Sequence, residues 1–156
     1  MVEETVATGK KSGPAVASSV PGSGQKPMPL SHIDSSVENR ISLNNGEVDR
    51  ILGGGLVEGS LVLIGGEPGI GKSTLSLQIP LHCSHLKTLY VTGEESAKQV
   101  KLRAARIGGD DTNCFIYSET LMENIIAEAR SMMPDLMVVD SVQTMFSQNV
   151  ESSPGS

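Results

Sequence analysis

Cysteine is scarce in this chain. Cys83 and Cys114 are the two it has among 156 residues, too few for a disulfide framework and without the Cys-x-x-Cys spacing that opens a zinc site. Reduced, structural thiols are the reading. His82, Cys83 and His85 stand close together, but such a trio without a distant fourth ligand fits capping or surface roles better than a metal centre, so no zinc site is expected. Long apolar runs are missing as well. Residues 1–20 lack the apolar stretch of a signal peptide, and no later segment approaches the length needed to span a bilayer. A cytoplasmic protein with no membrane partner is expected. Basic residues are outnumbered too: 12 Lys and Arg against 18 Asp and Glu leave a formal net charge of -6. That balance argues against a generally basic surface, while leaving room for a local basic groove.

The first part of the chain is also short of core-forming material. Residues 1–28 are rich in Ser, Gly, Ala, Pro and Lys with no apolar periodicity, and their lysines are too sparse for a nucleic-acid arm. Residues 1–36 are therefore expected to be a flexible linker or tail, and residues 37–156 a domain. Within that domain, residues 46–52 predict a short helix with Val48, Ile51 and Leu52 on one face, closed by Gly53, Gly54 and Gly55. Apolar runs at 61–64, 88–92, 114–117 and 136–140 predict four strands. Between them, residues 96–107 carry Ala97, Val100, Ala104 and Ile107 at helical spacing, and residues 121–132 present Leu121, Ile125 and Ile126 before Pro134 stops the helix. Strands alternating with helices, several of them continuously apolar, predict an α/β fold with a mostly parallel sheet covered on both faces.

What the chain does have is GGEPGIGKST at residues 65–74. From Gly66 to Ser73 the spacing is G-x-x-x-x-G-K-S, in which glycines let the backbone curl until successive N–H groups of Gly66, Glu67, Pro68's neighbours, Gly69, Ile70 and Gly71 point at one centre. That is a cradle for the phosphates of a nucleotide. Lys72 would reach the outer phosphates as a point charge, the Ser73 hydroxyl would ligate a bridging magnesium ion, and Thr74 is not expected to replace it. The motif requires a buried strand before it and a helix after it, whose N-terminal dipole favours anions. Both are predicted here. Pro80 arrives only seven residues after Ser73, and the helix should kink or stop there.

Parallel sheets collect ligands at the C-terminal ends of their strands, where this loop, Glu94, Glu95 and Asp140 would converge. Asp140 closes an apolar strand, where an unpaired charge is costly, and from there it can hold magnesium through water or through Ser73. Either Glu94 or Glu95 could orient a water toward the terminal phosphate. Adjacent side chains in extended backbone point to opposite faces, so both are not expected to serve the same water. Arg103 and Arg106 are expected on a solvated helix face.

Several stretches together carry a resemblance. RIS at residues 40–42, GEVDRILGGGL at 46–56, GGEPGIGKSTL at 65–75, YVTGEES at 90–96, VKLRA at 100–104, Glu119-Thr120 and LMVVDSVQTM at 136–145 resemble the bacterial RadA (Sms) family, in order, from about residue 38 onward. The lead-in LGGGLVEGSLVLIGGEPGIGKST and VVDSVQTM are far more specific than the phosphate loop alone. The resemblance implies a RecA-like P-loop ATPase core, with ATP and Mg2+ as cofactors, action in DNA repair on single-stranded DNA and recombination intermediates, and a homo-oligomeric ring or filament. It implies Glu94 as the catalytic glutamate, Lys72 and Ser73 as phosphate and magnesium residues, and Asp140 as the metal-shell aspartate. Family members also carry an N-terminal zinc ribbon and, past the strand ending at Asp140, further strands and a Lon-protease-like domain. Residues 37–156 are accordingly expected to be a partial RecA-like domain, incomplete at the C-terminus, with Asn44-Asn45 and Pro80 as smaller departures. Two other readings stand beside this one: another RecA-like ATPase such as a helicase or clock-type protein, and a non-catalytic nucleotide-binding module.

Overall fold

The computed structural model describes residues 27–33 and 39–149. The chain divides into two units, Met1–Val37 and Glu38–Ser156. Of the first unit the described part is an exposed stretch with one short 3-10 turn, Leu30–His32. Most of the linker expected over residues 1–36 lies outside the described residues.

In the second unit a three-stranded parallel sheet carries the fold: β3 (Thr88–Thr92) lies at the centre, between β4 (Cys114–Ser118) and β5 (Leu136–Asp140). All five residues of β3 are buried. Period-two alternation sorts its neighbours onto two faces. Tyr90, Ile116 and Val138 meet Leu77 and Leu81 of α2 (Lys72–His82) and Val100 and Ala104 of α3 (Ala97–Ile107). Leu89, Val91, Tyr117 and Val139 instead meet Met122, Ile125, Ala129 and Met132 of α4 (Met122–Met132). The sheet is thus covered on both faces, as an α/β reading requires.

Local chemistry sets the helix ends. Ser96 caps α3 through a reciprocal box with Gln99, whose backbone N–H donates to the serine oxygen at 3.4 Å while its side chain accepts from Ser96 N at 2.8 Å. Asn45, noted above as a departure, caps α1 (Gly46–Ile51) by accepting from Val48 N at 3.2 Å. Asn44 beside it has a φ of 51° and donates to the His82 carbonyl at 2.9 Å, tying this corner to the end of α2. Residues 40–41 and 56–57, read as connections in the sequence, form a two-stranded antiparallel ladder of β1 (Arg40–Ile41) and β2 (Leu56–Val57). Gly55 is obligatory there, because a Cβ would sit 2.5 Å from the Ile41 carbonyl oxygen.

Four expectations need correction. Residues 61–64 form no strand: they pair with nothing among the described residues, and Leu61 is 97% exposed. A strand exists only where a neighbour takes its N–H and C=O groups, and apolarity alone supplies no neighbour. Pro80 does not end its helix, since α2 runs on to His82 with the proline ring fully buried, and that burial offsets the single donor it lacks. Ile51 points outward at 70% exposure, leaving Val48 and Leu52 to pack toward Leu43, Ile79 and Cys83. Ile126 is likewise half-exposed, and α4 buries Ile125 with Met122, Ala129 and Met132 along one stripe.

Candidate functional site

The parallel register opposes Thr92 to Asp140, so the residues that follow β3 and the last residue of β5 emerge at the same edge of the sheet. Between them sits Gly93. Its N–H donates to the Asp140 carbonyl at 3.4 Å, and a Cβ there would lie 2.8 Å from Cβ of Thr144. No larger residue fits this crossing. Thr144 belongs to a 3-10 turn, Val142–Thr144, which returns the chain toward α4 and buries Met145 beside Ile125.

Glu94 and Glu95 diverge from this point, where the chain bends after β3 and the Glu95 N–H turns back to donate to the Thr92 hydroxyl at 3.1 Å. Glu94 is exposed and accepts a hydrogen bond from the Ser141 hydroxyl at 3.1 Å. Glu95 turns to α3 and pairs with the Arg103 guanidinium at 2.8 Å.

The phosphate loop enters from the other side. Residues 66–70 are exposed, Gly69 and Gly71 adopt left-handed φ of 80° and 99°, and Gly71 caps α2, so the loop runs straight into a helix N-terminus as the motif requires. Glu67, Pro68 and Ile70 lie in that exposed turn, with Ile70 N donating to the Glu67 carbonyl at 3.4 Å. Lys72 folds back on the loop, its ammonium donating to the carbonyls of Gly66 at 2.7 Å and Glu67 at 2.8 Å. Ser73 reaches inward, and its hydroxyl donates to Asp140 Oδ1 at 3.0 Å across 67 positions of sequence. Thr74 is exposed and takes no part in that contact.

Ser73 Oγ and Asp140 Oδ1 are adjacent hard oxygens, the donor chemistry magnesium prefers. With the serine proton directed to the carboxylate, the hydroxyl lone pairs are left for a cation. Among the described residues no group of three or more His, Cys, Asp and Glu could hold a metal. Magnesium is normally held by one or two carboxylates together with substrate phosphates and waters, so a serine and one aspartate fit it without such a cluster.

Asp140 has further partners that the sequence reading passed over. Its Oδ2 accepts from the Tyr90 hydroxyl at 2.7 Å and lies 3.7 Å from Arg103. Burial, then the bond to Asp140, push the Tyr90 phenol well above its ordinary range, so it remains a protonated donor. Arg103, expected on a solvated face, is largely buried, and its Nε has no partner among the described residues. A signal existed in both cases. Arg103 falls at helical spacing on the stripe of Val100, Ala104 and Ile107, and Tyr90 is the one residue with a polar handle between apolar neighbours Leu89 and Val91.

Comparison with known proteins places these residues in a wider setting. A family model described as ATPase: KaiC matches residues 46–116. The DNA repair protein RadA of Bacillus subtilis is 47% identical over 158 aligned residues, which take in 100% of this chain and 34% of that protein. RadA of Streptococcus pneumoniae is 48% identical over 88% of this chain and 33% of its own length, and RadA of Listeria monocytogenes 45% identical over 86% and 30%. The chain spans about a third of the length of these relatives. No helix among the described residues is long and apolar enough to cross a membrane.

Proposed function

This chain belongs to the RadA family of RecA-like ATPases, and from that premise we propose that it forms the nucleotide site of an ATP hydrolase acting in DNA repair. The hydroxyl of Ser73 against Asp140 at 3.0 Å carries the reading, because it joins the phosphate-loop helix to the last residue of the central sheet's β5. In this reading the backbone N–H groups of residues 66–71, Pro68 excepted, hold the phosphates. Lys72 leaves the Gly66 and Glu67 carbonyls for the outer phosphates, exchanging two neutral acceptors for a charged one. Ser73 and Asp140 would hold magnesium, which when bound would supply positive charge against the negative charge that develops on the phosphates. Glu94, oriented by Ser141, takes the proton of the attacking water as its oxygen bonds to the terminal phosphorus and the bond to the ADP oxygen breaks. Single-stranded DNA and recombination intermediates are the proposed partners, a homo-oligomer the proposed assembly and the cytoplasm its place.

The test is titration of the chain with a fluorescent ATP analogue and magnesium, beside Lys72→Ala. Saturable binding that falls at least tenfold in the variant is expected, since a charge-assisted contact to phosphate is lost. Equal binding by both proteins would overturn the assignment. Given binding, Glu94→Gln is expected to abolish turnover, measured with and without single-stranded DNA, while leaving affinity unchanged; binding without any turnover in the unaltered chain would favour a non-catalytic nucleotide module.

A further inference from the structure

A carboxylate has two oxygens, and at Asp140 they face different elements. Oδ1 receives the Ser73 hydroxyl at 3.0 Å, whereas Oδ2 receives the Tyr90 hydroxyl at 2.7 Å. Tyr90 is fully buried, and its ring is fixed by Leu77, Leu81, Val100 and Ala104, from both helices on that face. The backbone explains why the two meet. Tyr90 is paired with Val138, so Asp140 is its diagonal neighbour on the same face of the sheet, within reach of a long aromatic side chain. Arg103 arrives from α3 with its guanidinium 3.5 Å from the Tyr90 hydroxyl and 3.7 Å from Oδ2, and Glu95 holds it there.

We propose that Tyr90 is a positioning residue for the metal site: its hydroxyl occupies Oδ2 of Asp140 and so turns Oδ1 toward Ser73 and a divalent cation. The inference rests on the nucleotide-site reading and adds to it a residue that touches neither nucleotide nor metal. A quarter-turn of the Asp140 carboxylate would carry its oxygens away from both hydroxyls and leave the phenol without its acceptor in a buried setting, which is unfavourable. Tyr90 and Ser73 together therefore select one orientation. A phenylalanine at position 90 would keep the ring in the core and leave Oδ2 without this donor.

Tyr90→Phe removes the hydroxyl and keeps the ring. The affinity of the fluorescent ATP analogue is measured across a magnesium series and again in EDTA. The magnesium concentration for half-maximal enhancement is expected to rise about tenfold, the scale of one hydrogen bond to a charged acceptor, with the affinity in EDTA unchanged. A purely structural tyrosine would alter melting without moving that ratio, and an unmoved ratio overturns the proposal. If the unaltered chain binds no nucleotide, the nucleotide reading itself falls and this inference with it. Should the phenylalanine variant not fold, the chain's two tyrosines and absent tryptophan allow a second measurement. In a Tyr117→Phe protein, Tyr90 is the sole tyrosine, and its fluorescence is expected to change with nucleotide plus magnesium but not with nucleotide in EDTA. No difference between the two additions overturns the proposal.

Discussion

On the carboxylate side of the site, Glu94 follows β3 and Asp140 ends β5, two strands paired along their length and packed against α2, α3 and α4. On the phosphate-loop side, residues 61–70 are exposed at every position and belong to no strand among the described residues, their carbonyls at Gly66 and Glu67 bonded only from within the loop and from Lys72. The first half is organised before any ligand arrives, because Tyr90 and Arg103 hold the Asp140 carboxylate, Ser141 holds that of Glu94, and the Gly93 N–H holds the Asp140 main-chain carbonyl. The second half is slung between anchors. Upstream it hangs from the β1–β2 ladder, and downstream it enters α2, whose Ser73 makes the contact to Asp140. Between those anchors lies a segment with few buried contacts, the kind from which binding loops are drawn. Under the proposed nucleotide reading, the ligand would meet an exposed loop on one side and a preformed wall on the other.

The sharpest way to break that contrast is to make one substitution on each side of it. Leu89 of β3 is 2% exposed and packed beneath α4. Truncation to alanine is expected to cost about 2–5 kcal/mol, through lost burial and the cavity left behind, read as a shift in the urea unfolding midpoint. A cost below about 1 kcal/mol would mean that the α4 face collapses around the gap and that the carboxylate side is less fixed than its burial implies.

The same contrast separates what the sequence disclosed from what it hid. The three strands of the parallel sheet and their helices were legible, since apolar runs at 88–92, 114–117 and 136–140 and the stripe of Val100, Ala104 and Ile107 are local signals. The glycine turn leading into α2 and the place of Asp140 at the end of β5 were legible because spacing and strand-end position carry them. Residues 61–64 misled for a physical reason: an apolar run states what a strand needs, and pairing depends on a neighbour that local sequence does not name. Pro80 misled in the opposite sense, because a helix break predicted from one missing donor is overridden when the ring itself is core. Tyr90 and Arg103 lie at ordinary core positions, and their link to Asp140 exists only once β3, β5 and α3 are assembled.

A smaller effect sharpens the comparison at the upstream anchor. Asp49 accepts the Leu43 N–H at 2.8 Å and the Ser42 hydroxyl at 2.7 Å, joining α1 to the chain just after β1. The Leu43 bond first, then the Ser42 bond, hold its carboxyl below the ordinary aspartate value of 3.8. A depressed folded-state pKa means that the stabilisation is present in full above that ordinary value and is lost as pH falls through the folded one. The stability difference between the unaltered chain and Asp49→Asn is therefore expected to be greatest at neutral pH and to close below about pH 3.8. A difference independent of pH would remove the charge from the account and leave the asparagine's shape as the cause.

The smallest effect tests the other side of the pair. Leu61 has the same side chain as Leu89 but is 97% exposed, so Leu61→Ala removes no buried surface and leaves no cavity. Its expected cost is within about 0.5 kcal/mol, the range of surface substitutions. Four apolar residues in sequence are nevertheless an unusual thing to leave in water, and Leu63 and Ile70 beside it are 81% and 71% exposed. A cost for Leu61→Ala approaching that of Leu89→Ala would therefore show that something buries the run in solution. If that cost grew with protein concentration, a second copy would be the cover. The phosphate loop would then owe its order to association rather than to the ligand, and the two halves would differ in what completes them rather than in how firmly each is built.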